Sequence, residues 1–333
     1  MFSKSYREVE IYIPPPFEKK ESILFIKYED GEFVKLNKKT ESVLRIFPFF
    51  QLRGSFYETL MEGENILNNE NGYYRVRRVE KFAYDPEEVV ARIFNLENKY
   101  YENHLKDNPV QRYLREFSSD LLNRFTKEGS KVLDLGSGPV PETLSLVNKC
   151  EVYFYDISEV ALSNIKRRYP AAKTLGKEGL LKLQEKFDLI FTSFGFLEMA
   201  NTDFVNSIIE EKLRAGGLFI ACYLNRLALL DLLLNISQFR IRYVFERLTG
   251  SIDGNHSRFS LGIRLVKERN IASSGLNIID SYSICALVPP YYYRNLNERL
   301  NISNLIRMDR SISNLFPFKH IGDYKCIIGV KNG

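Results

Sequence analysis

Between residues 131 and 224 the sequence alternates short, uninterrupted apolar runs with helix-compatible stretches, and few folds accept that pattern. The runs are "KVLDL" (131–135), "EVYFYD" (151–156), "FDLIFTSF" (187–194) and "GGLFIACYL" (216–224). They lack the apolar–polar alternation of a half-exposed strand. Their length and their β-branched and aromatic content favour strand over buried helix. Strands of this kind, separated by helices, build a parallel sheet covered on both faces. The fold class expected is therefore α/β and Rossmann-like. After helices expected in 226–249 and 260–270, two further strands, "LNIIDSYSICAL" (276–287) and "YKCIIGVK" (324–331), have only a polar connection with short helical sequence (298–315) between them, so strict alternation ends there.

Upstream the pattern is different. Pro14-Pro15-Pro16 makes residues 1–21 irregular in expectation. Residues 22–36 predict a hairpin turning at Glu29-Asp30-Gly31, and residues 65–79 a second one around Asn71-Gly72. Between them, residues 37–47 predict a helix, with Val43, Leu44 and Phe47 on one side and Pro48 as its stop, and residues 55–61 a second short helix. This is a small α+β module, assigned to residues 1–84. Residues 85–333 form the second domain, opening with a helical cap over 85–128 built from helices at 86–104 and 109–126. A chain of 333 residues suits one large domain plus a smaller one.

Charge and composition exclude little. A formal charge of +5 permits an anionic partner without requiring one. Cys150, Cys222, Cys285 and Cys326 are far apart and sit in or beside apolar runs, which predicts buried free thiols. His104, His256 and His320 are equally scattered, so no metal site is expected. The most apolar stretch, "LALLDLLLNI" (227–236), is too short to cross a membrane, and with no signal sequence at Met1 a cytoplasmic protein is expected.

The loop after the first buried strand, "GSGPV" (136–140), supplies residues suited to positive φ and to close approach of a ligand, and leads into a short helix expected over "PETLSLVNK" with Pro141 at its first position. Asp156 lies 20 residues after Gly136, at the end of the next strand, where a carboxylate accepts both ribose hydroxyls of a nucleotide. A dinucleotide such as NAD and S-adenosylmethionine both meet that description. Three details separate them. Pro141 stands where the dinucleotide fingerprint has its third glycine. Asp134, two residues before Gly136, repels a pyrophosphate and attracts an ammonium or sulfonium. The loop also comes late in the chain, after two helices able to cap it.

In these segments, "VLDLGSG", "VYFYDIS", "FDLIFTSFGFLEM" and "LRAGGLFIACY", in this order, the stretch 131–331 resembles a class I S-adenosylmethionine-dependent methyltransferase. The resemblance implies a seven-strand sheet whose last strand, "KCIIGVK", inserts antiparallel beside the sixth. It also implies S-adenosyl-L-methionine as cofactor. Carried over residue by residue, Asp134, Gly136, Ser137 and Gly138 surround the methionine end, Asp156 and Ile157 hold the ribose, and Phe194 and Gly195 lie near the methyl donor. Tyr100 and Tyr101 resemble tyrosines that lie over the donor, Tyr101 as a catalytic candidate. His256, in "NHSRFS" (255–260), stands where related small-molecule enzymes build the acceptor pocket and is the candidate base. Val140 departs from the small residue usual there, and "AAKTLGKEGLL" has no clear acid for the adenine beyond Glu178.

The acceptor expected is a small or lipid-like molecule, with "PPYYY" (289–293) and the apolar insert 224–249 as candidate pocket walls or packing elements. Two alternatives stand beside it. One is a peptide, protein or RNA acceptor recognised by the N-terminal module, whose order resembles winged-helix peptide-binding domains and whose Arg75, Arg77 and Arg78 alternate on a hairpin strand. The other is a non-catalytic protein that retains the fold.

Overall fold

The computed structural model describes seven short strands within residues 10–76, then residues 108–253, 259–266, 268–272 and 275–333. It comprises two compact units: Met1–Leu96 with Asp253–Gly262, and Glu97–Ile252 with Ile263–Gly333.

In the first unit, strands β1 (Glu10–Ile13), β2 (Leu24–Lys27), β3 (Phe33–Leu36), β6 (Leu67–Glu70) and β7 (Tyr73–Val76) form a sheet of order β3-β2-β1-β7-β6. Both expected hairpins are present, with Lys27 opposite Phe33 and Glu70 opposite Tyr73. Two expectations are corrected. The segment before the prolines is not irregular throughout: β1, "EIYI", is the middle strand, paired with β2 and β7. The helix expected over 37–47 is replaced at its C-terminal end by strand β4 (Leu44–Phe47), paired with β5 (Phe50–Leu52). Strand β14 (Phe259–Arg264) pairs with β5, and so draws residues from late in the chain into this unit. It occupies sequence read as helical, and its "FSLGIR" carries a glycine that weakens a helix. The helices expected at 55–61 and 86–104 fall outside the described residues.

The second unit holds a seven-strand sheet made of β8 (Lys131–Leu135), β9 (Glu151–Tyr155), β10 (Lys173–Leu175), β11 (Phe187–Thr192), β12 (Leu213–Leu224), β15 (Leu276–Ile284) and β16 (Tyr324–Lys331). The order is β10-β9-β8-β11-β12-β16-β15, parallel through β12, with β16 antiparallel to both neighbours. Read by rank this is 3-2-1-4-5-7-6, with the last strand inserted antiparallel. The chain has the class I methyltransferase fold expected from its sequence.

Strand alternation divides the core into two faces. Val132, Phe154, Phe191, Ile220 and Cys222 lie on one, under helix α1 (Pro109–Phe125), which buries Tyr113, Leu114, Phe117 and Leu121 against them. Asn108 caps α1, accepting from the N–H groups of Val110 and Gln111 at 3.0 and 3.2 Å. Leu133, Leu135, Tyr155, Ile190 and Phe219 lie on the other face with Val205, Ile208 and Ile209 of the helix Thr202–Lys212.

The free-thiol reading is corrected for two cysteines. Cys222 of β12 faces Cys326 of β16 in register, and the pair forms a disulfide with Cα atoms 4.1 Å apart. A separation of 104 residues hid the pairing, which only the antiparallel insertion of β16 creates. Cys150 and Cys285 are free thiols.

Candidate cofactor-binding site

The sheet reverses its winding direction at β8, whose neighbours β9 and β11 both come later in the chain. In open α/β sheets the carboxyl ends of the strands at such a point flank a crevice that the chain cannot close. Asp134, the loop 136–138 and Asp156 stand at the carboxyl ends of β8 and β9 there.

Gly136 and Gly138 adopt φ of 82° and 61°. The N–H groups of Gly136 and Ser137 both donate to the Tyr155 carbonyl at 2.9 Å, which fastens the glycine loop to the end of β9. Asp156 follows Tyr155 directly and is almost fully buried. Its Oδ2 accepts from the Gly138 N–H and its Oδ1 from the Ser158 N–H, each at 2.7 Å. Both carboxylate oxygens keep lone-pair directions for further donors. Burial pushes the carboxyl of Asp156 up, while the N–H groups of Ser158, Gly138 and Ile157 act the other way.

Asp134 is buried on the α1 side of β8. Its Oδ2 accepts from the Thr143 hydroxyl, and its Oδ1 has no partner among the described residues. Burial pushes its carboxyl well above the usual range; the Thr143 hydrogen bond opposes this, and the nearby carboxylates of Glu142 and Asp156 reinforce it. The hydroxyls of Ser137 and Thr192 are also buried without partners among the described residues. Glu142 is buried, accepting from Ser193 at 3.1 Å with Arg115 at 3.6 Å. Three carboxylates thus stand around one glycine loop, and the described residues supply Arg115 alone as an ion-pair partner for them. A desolvated acidic set of this kind favours a cation and disfavours a pyrophosphate.

The helix expected after the loop is corrected to a five-residue 3₁₀ segment, Glu142–Leu146, with Pro141 at its cap. Pro141 sits at φ −65°, ψ 141°, outside the helix. So short a segment offers little of the helix dipole that holds pyrophosphate in dinucleotide sites.

After β11 the chain turns sharply at Gly195, φ 107°. Phe194 is half-buried, its ring edge-on to Tyr324 at 5.1 Å. Glu198, which the sequence reading passed over, fixes this turn. Its Oε2 accepts from the Gly195 N–H at 3.2 Å and its Oε1 from the Leu224 N–H at 2.5 Å, which ties the loop to the end of β12. Burial raises the Glu198 carboxyl to about 6 against those hydrogen bonds. The protonated form is therefore favoured in the fold. Its contribution to stability is complete below the unfolded value of 4.5 and is lost as pH rises through about 6. We expect unfolding free energy to fall by on the order of 2 kcal/mol over that window from this group, and Glu198→Gln to flatten the fall in urea titrations. An unchanged pH slope in the variant would remove this role.

Several expectations are placed elsewhere. Glu178 is exposed and pairs with Lys182 at 3.2 Å, one turn along its helix. Of the insert 224–249, Leu229, Leu233, Phe239 and Phe245 are exposed, Leu230 and Leu234 are half-buried, and Leu232 is buried together with Asp231, Asn235 and Arg247. Tyr292 of "PPYYY" donates to Asp231 at 2.5 Å, while Tyr291 packs in the same apolar cluster as Phe194 and Tyr324. Tyr100, Tyr101 and His256 lie outside the described residues. Thr143, Glu142, Thr192 and Glu198 went unread because no spacing rule marks a threonine or glutamate that acts only across the sheet.

No protein-family model matches this chain, and no curated protein matches it. Solved structures similar to it include an S-adenosylmethionine-dependent methyltransferase from Clostridium acetobutylicum, at 14% identity and TM-score 0.44, covering 74% of this chain and 100% of that one. Geranyl diphosphate C-methyltransferase from Streptomyces coelicolor A3(2) is 12% identical at TM-score 0.46, covering 75% and 99%. Magnesium protoporphyrin IX methyltransferase from Synechocystis PCC 6803 is 14% identical at TM-score 0.46, covering 74% and 100%.

Proposed function

We propose that this chain is an S-adenosylmethionine-dependent methyltransferase acting on a small or lipid-like acceptor. The observation that carries the reading is the acidic crevice at the β8–β9 edge. Asp134 keeps a buried oxygen that has no partner among the described residues, beside a loop of two positive-φ glycines, with Asp156 pinned by two backbone N–H groups at the next strand end. In this reading Asp156 accepts the ribose hydroxyls, with Ile157 beside it. Asp134, Ser137 and the loop backbone face the ammonium end.

When bound, S-adenosylmethionine supplies an electrophilic methyl on a cationic sulfur. Held by Asp134, Ser137, the glycine loop and Asp156, it would give that methyl to an acceptor lone pair and leave as S-adenosylhomocysteine. The protein's work is alignment and exclusion of water. In this reading Phe194, held against Tyr324, and the Gly195 turn, held by Glu198, form the wall beside the methyl. The roles expected from the sequence, Tyr100 and Tyr101 toward the donor and His256 as base for a hydroxyl or ammonium acceptor, belong to the proposal as sequence-based assignments. The N-terminal module, residues 1–84, is accessory to the catalytic domain over 85–333, and the protein works in the cytoplasm. Among the described residues no helix is long and apolar enough to cross a membrane.

Asp156→Ala should weaken binding of S-adenosylhomocysteine by roughly 1–3 kcal/mol, the value of charge-assisted hydrogen bonds to a carboxylate. Titration calorimetry reads this directly. Wild-type affinity in the variant, or tight NAD binding by the unaltered protein, would overturn the proposal.

A further inference from the structure

Helices Leu229–Ser237 and Ile241–Thr249 bury polar and charged side chains and expose apolar ones. On the first, Asp231 is 1% exposed and Leu232 and Asn235 are buried, while Leu229, Leu233 and Ile236 face water. On the second, Arg247 is 0% exposed, while Ile241, Leu248 and Phe245, at 65%, face water. Each exposed set follows the i, i+4, i+7 spacing of a single helical stripe. Isolated exposed leucines are ordinary, but two adjoining apolar stripes are not.

The orientation is locked from within. The Arg247 guanidinium donates to Asp231 at 2.6 Å, to Asp323 at 2.7 Å and to the Asn225 carbonyl at 2.7 and 3.0 Å, and Tyr243 and Asn235 donate to Asp231 at 2.9 Å. Rotating either helix to bury its leucines would break up this network and strand buried charge. The apolar stripes must therefore face outward.

Phe239 stands at the link between the helices, 90% exposed, at φ 57°, a conformation uncommon for a residue other than glycine. The segment 315–321 abuts the first helix, because the Ile321 carbonyl accepts from the Leu229 N–H, and it adds the exposed Leu315 and Phe316. The charges at this edge are mostly positive. Arg240 and Arg242 are exposed at the link, Lys319 follows Phe316, and the acids of residues 225–250 are Asp231, which is buried, and Glu246, which pairs with Arg242.

We propose that this face is a docking surface for an anionic lipid membrane, with Phe239 and Phe245 entering the headgroup–acyl boundary and Arg240 and Arg242 meeting lipid phosphates. Two nine-residue helices are too short to span and suited to lie in the interface. The cationic link selects an anionic lipid surface over a second copy of the chain, which would bring the same arginines to the same apolar patch. The inference does not depend on methyl transfer.

The test is flotation of the full-length protein with vesicles of phosphatidylcholine alone and of phosphatidylcholine mixed with phosphatidylglycerol. The expected result is binding to the mixed vesicles, little binding to phosphatidylcholine alone, and loss of binding at high salt. The double variant Phe239→Ser, Phe245→Ser should lower partitioning by at least about tenfold, and Arg240→Gln, Arg242→Gln should remove the preference for the anionic lipid. Unchanged circular dichroism confirms that both variants fold, as exposed positions allow. Failure of the wild type to float with the mixed vesicles overturns the proposal. So does binding that the serine variant retains, or a concentration-dependent dimer that the serine variant abolishes while vesicles stay unbound.

Discussion

Arg247→Met should destabilise the protein by roughly 3–5 kcal/mol, the cost of leaving buried carboxylates without their cation. Arg247 is fully buried and is the ion-pair partner of both Asp231 and Asp323. Methionine fills much of the same volume, so the loss isolates the charge. Even with Arg247 in place, burial raises the Asp323 carboxyl to about 6; the guanidinium opposes that rise and the neighbouring Asp231 adds to it. Without the guanidinium the Asp323 carboxyl loses the charge that opposes its rise and is most easily neutralised in acid. The deficit of the variant, measured by urea unfolding, should therefore be smallest at low pH and grow as pH rises past about 6. The triple variant Arg247→Met, Asp231→Leu, Asp323→Leu should recover most of the loss, since apolar replacements of a whole buried ionic group are often tolerated. A single variant within about 0.5 kcal/mol of wild type would show that the network is not buried as described.

Gly136→Ala should remove donor binding as well as stability. At φ 82° a side chain pays about 1–2 kcal/mol. A Cβ there would also stand 2.3 Å from Cδ2 and 2.7 Å from Cβ of Phe196, so the helix that follows Phe194 and Gly195 must shift. The two halves of the candidate site would part together, and we expect affinity for S-adenosylhomocysteine to drop more than tenfold, about 1.4 kcal/mol. Gly138→Ala is the internal control. Its φ is 61°, but a Cβ there meets nothing within 4 Å, so it should lose stability from backbone strain with a smaller loss of affinity. Equal affinities for the two variants in calorimetry would dissociate Phe196 from the site.

Much of the second unit was legible before any coordinates. "KVLDL", "EVYFYD", "FDLIF" and "GGLFIACYL" are strands, and the Gly136 loop and Asp156 meet at one edge, because buried parallel strands and tight turns each carry a local chemical signature. What failed was also local in appearance. Residues 44–47 read as the end of a helix until β5 paired with them, and "PETLSLV" read as an α-helix although only one 3₁₀ stretch forms. Short segments take the conformation that their neighbours can hydrogen-bond. The Cys222–Cys326 disulfide and the grip of Glu198 on Leu224 join residues across the sheet, where no spacing rule reaches.

The sequence alone determined that strands and helices alternate, that the loop at 136–138 must be glycine-rich, and that acids, not cations, line it. Those properties reside in runs of a few residues. Tertiary structure decided which stripe of the helices at 229–249 faces inward. Periodicity shows which residues share a side, but not which side meets the protein. Here Asp231 and Arg247 find each other and Asp323 only after folding, and that buried ionic group outweighs the ordinary preference for leucine inside.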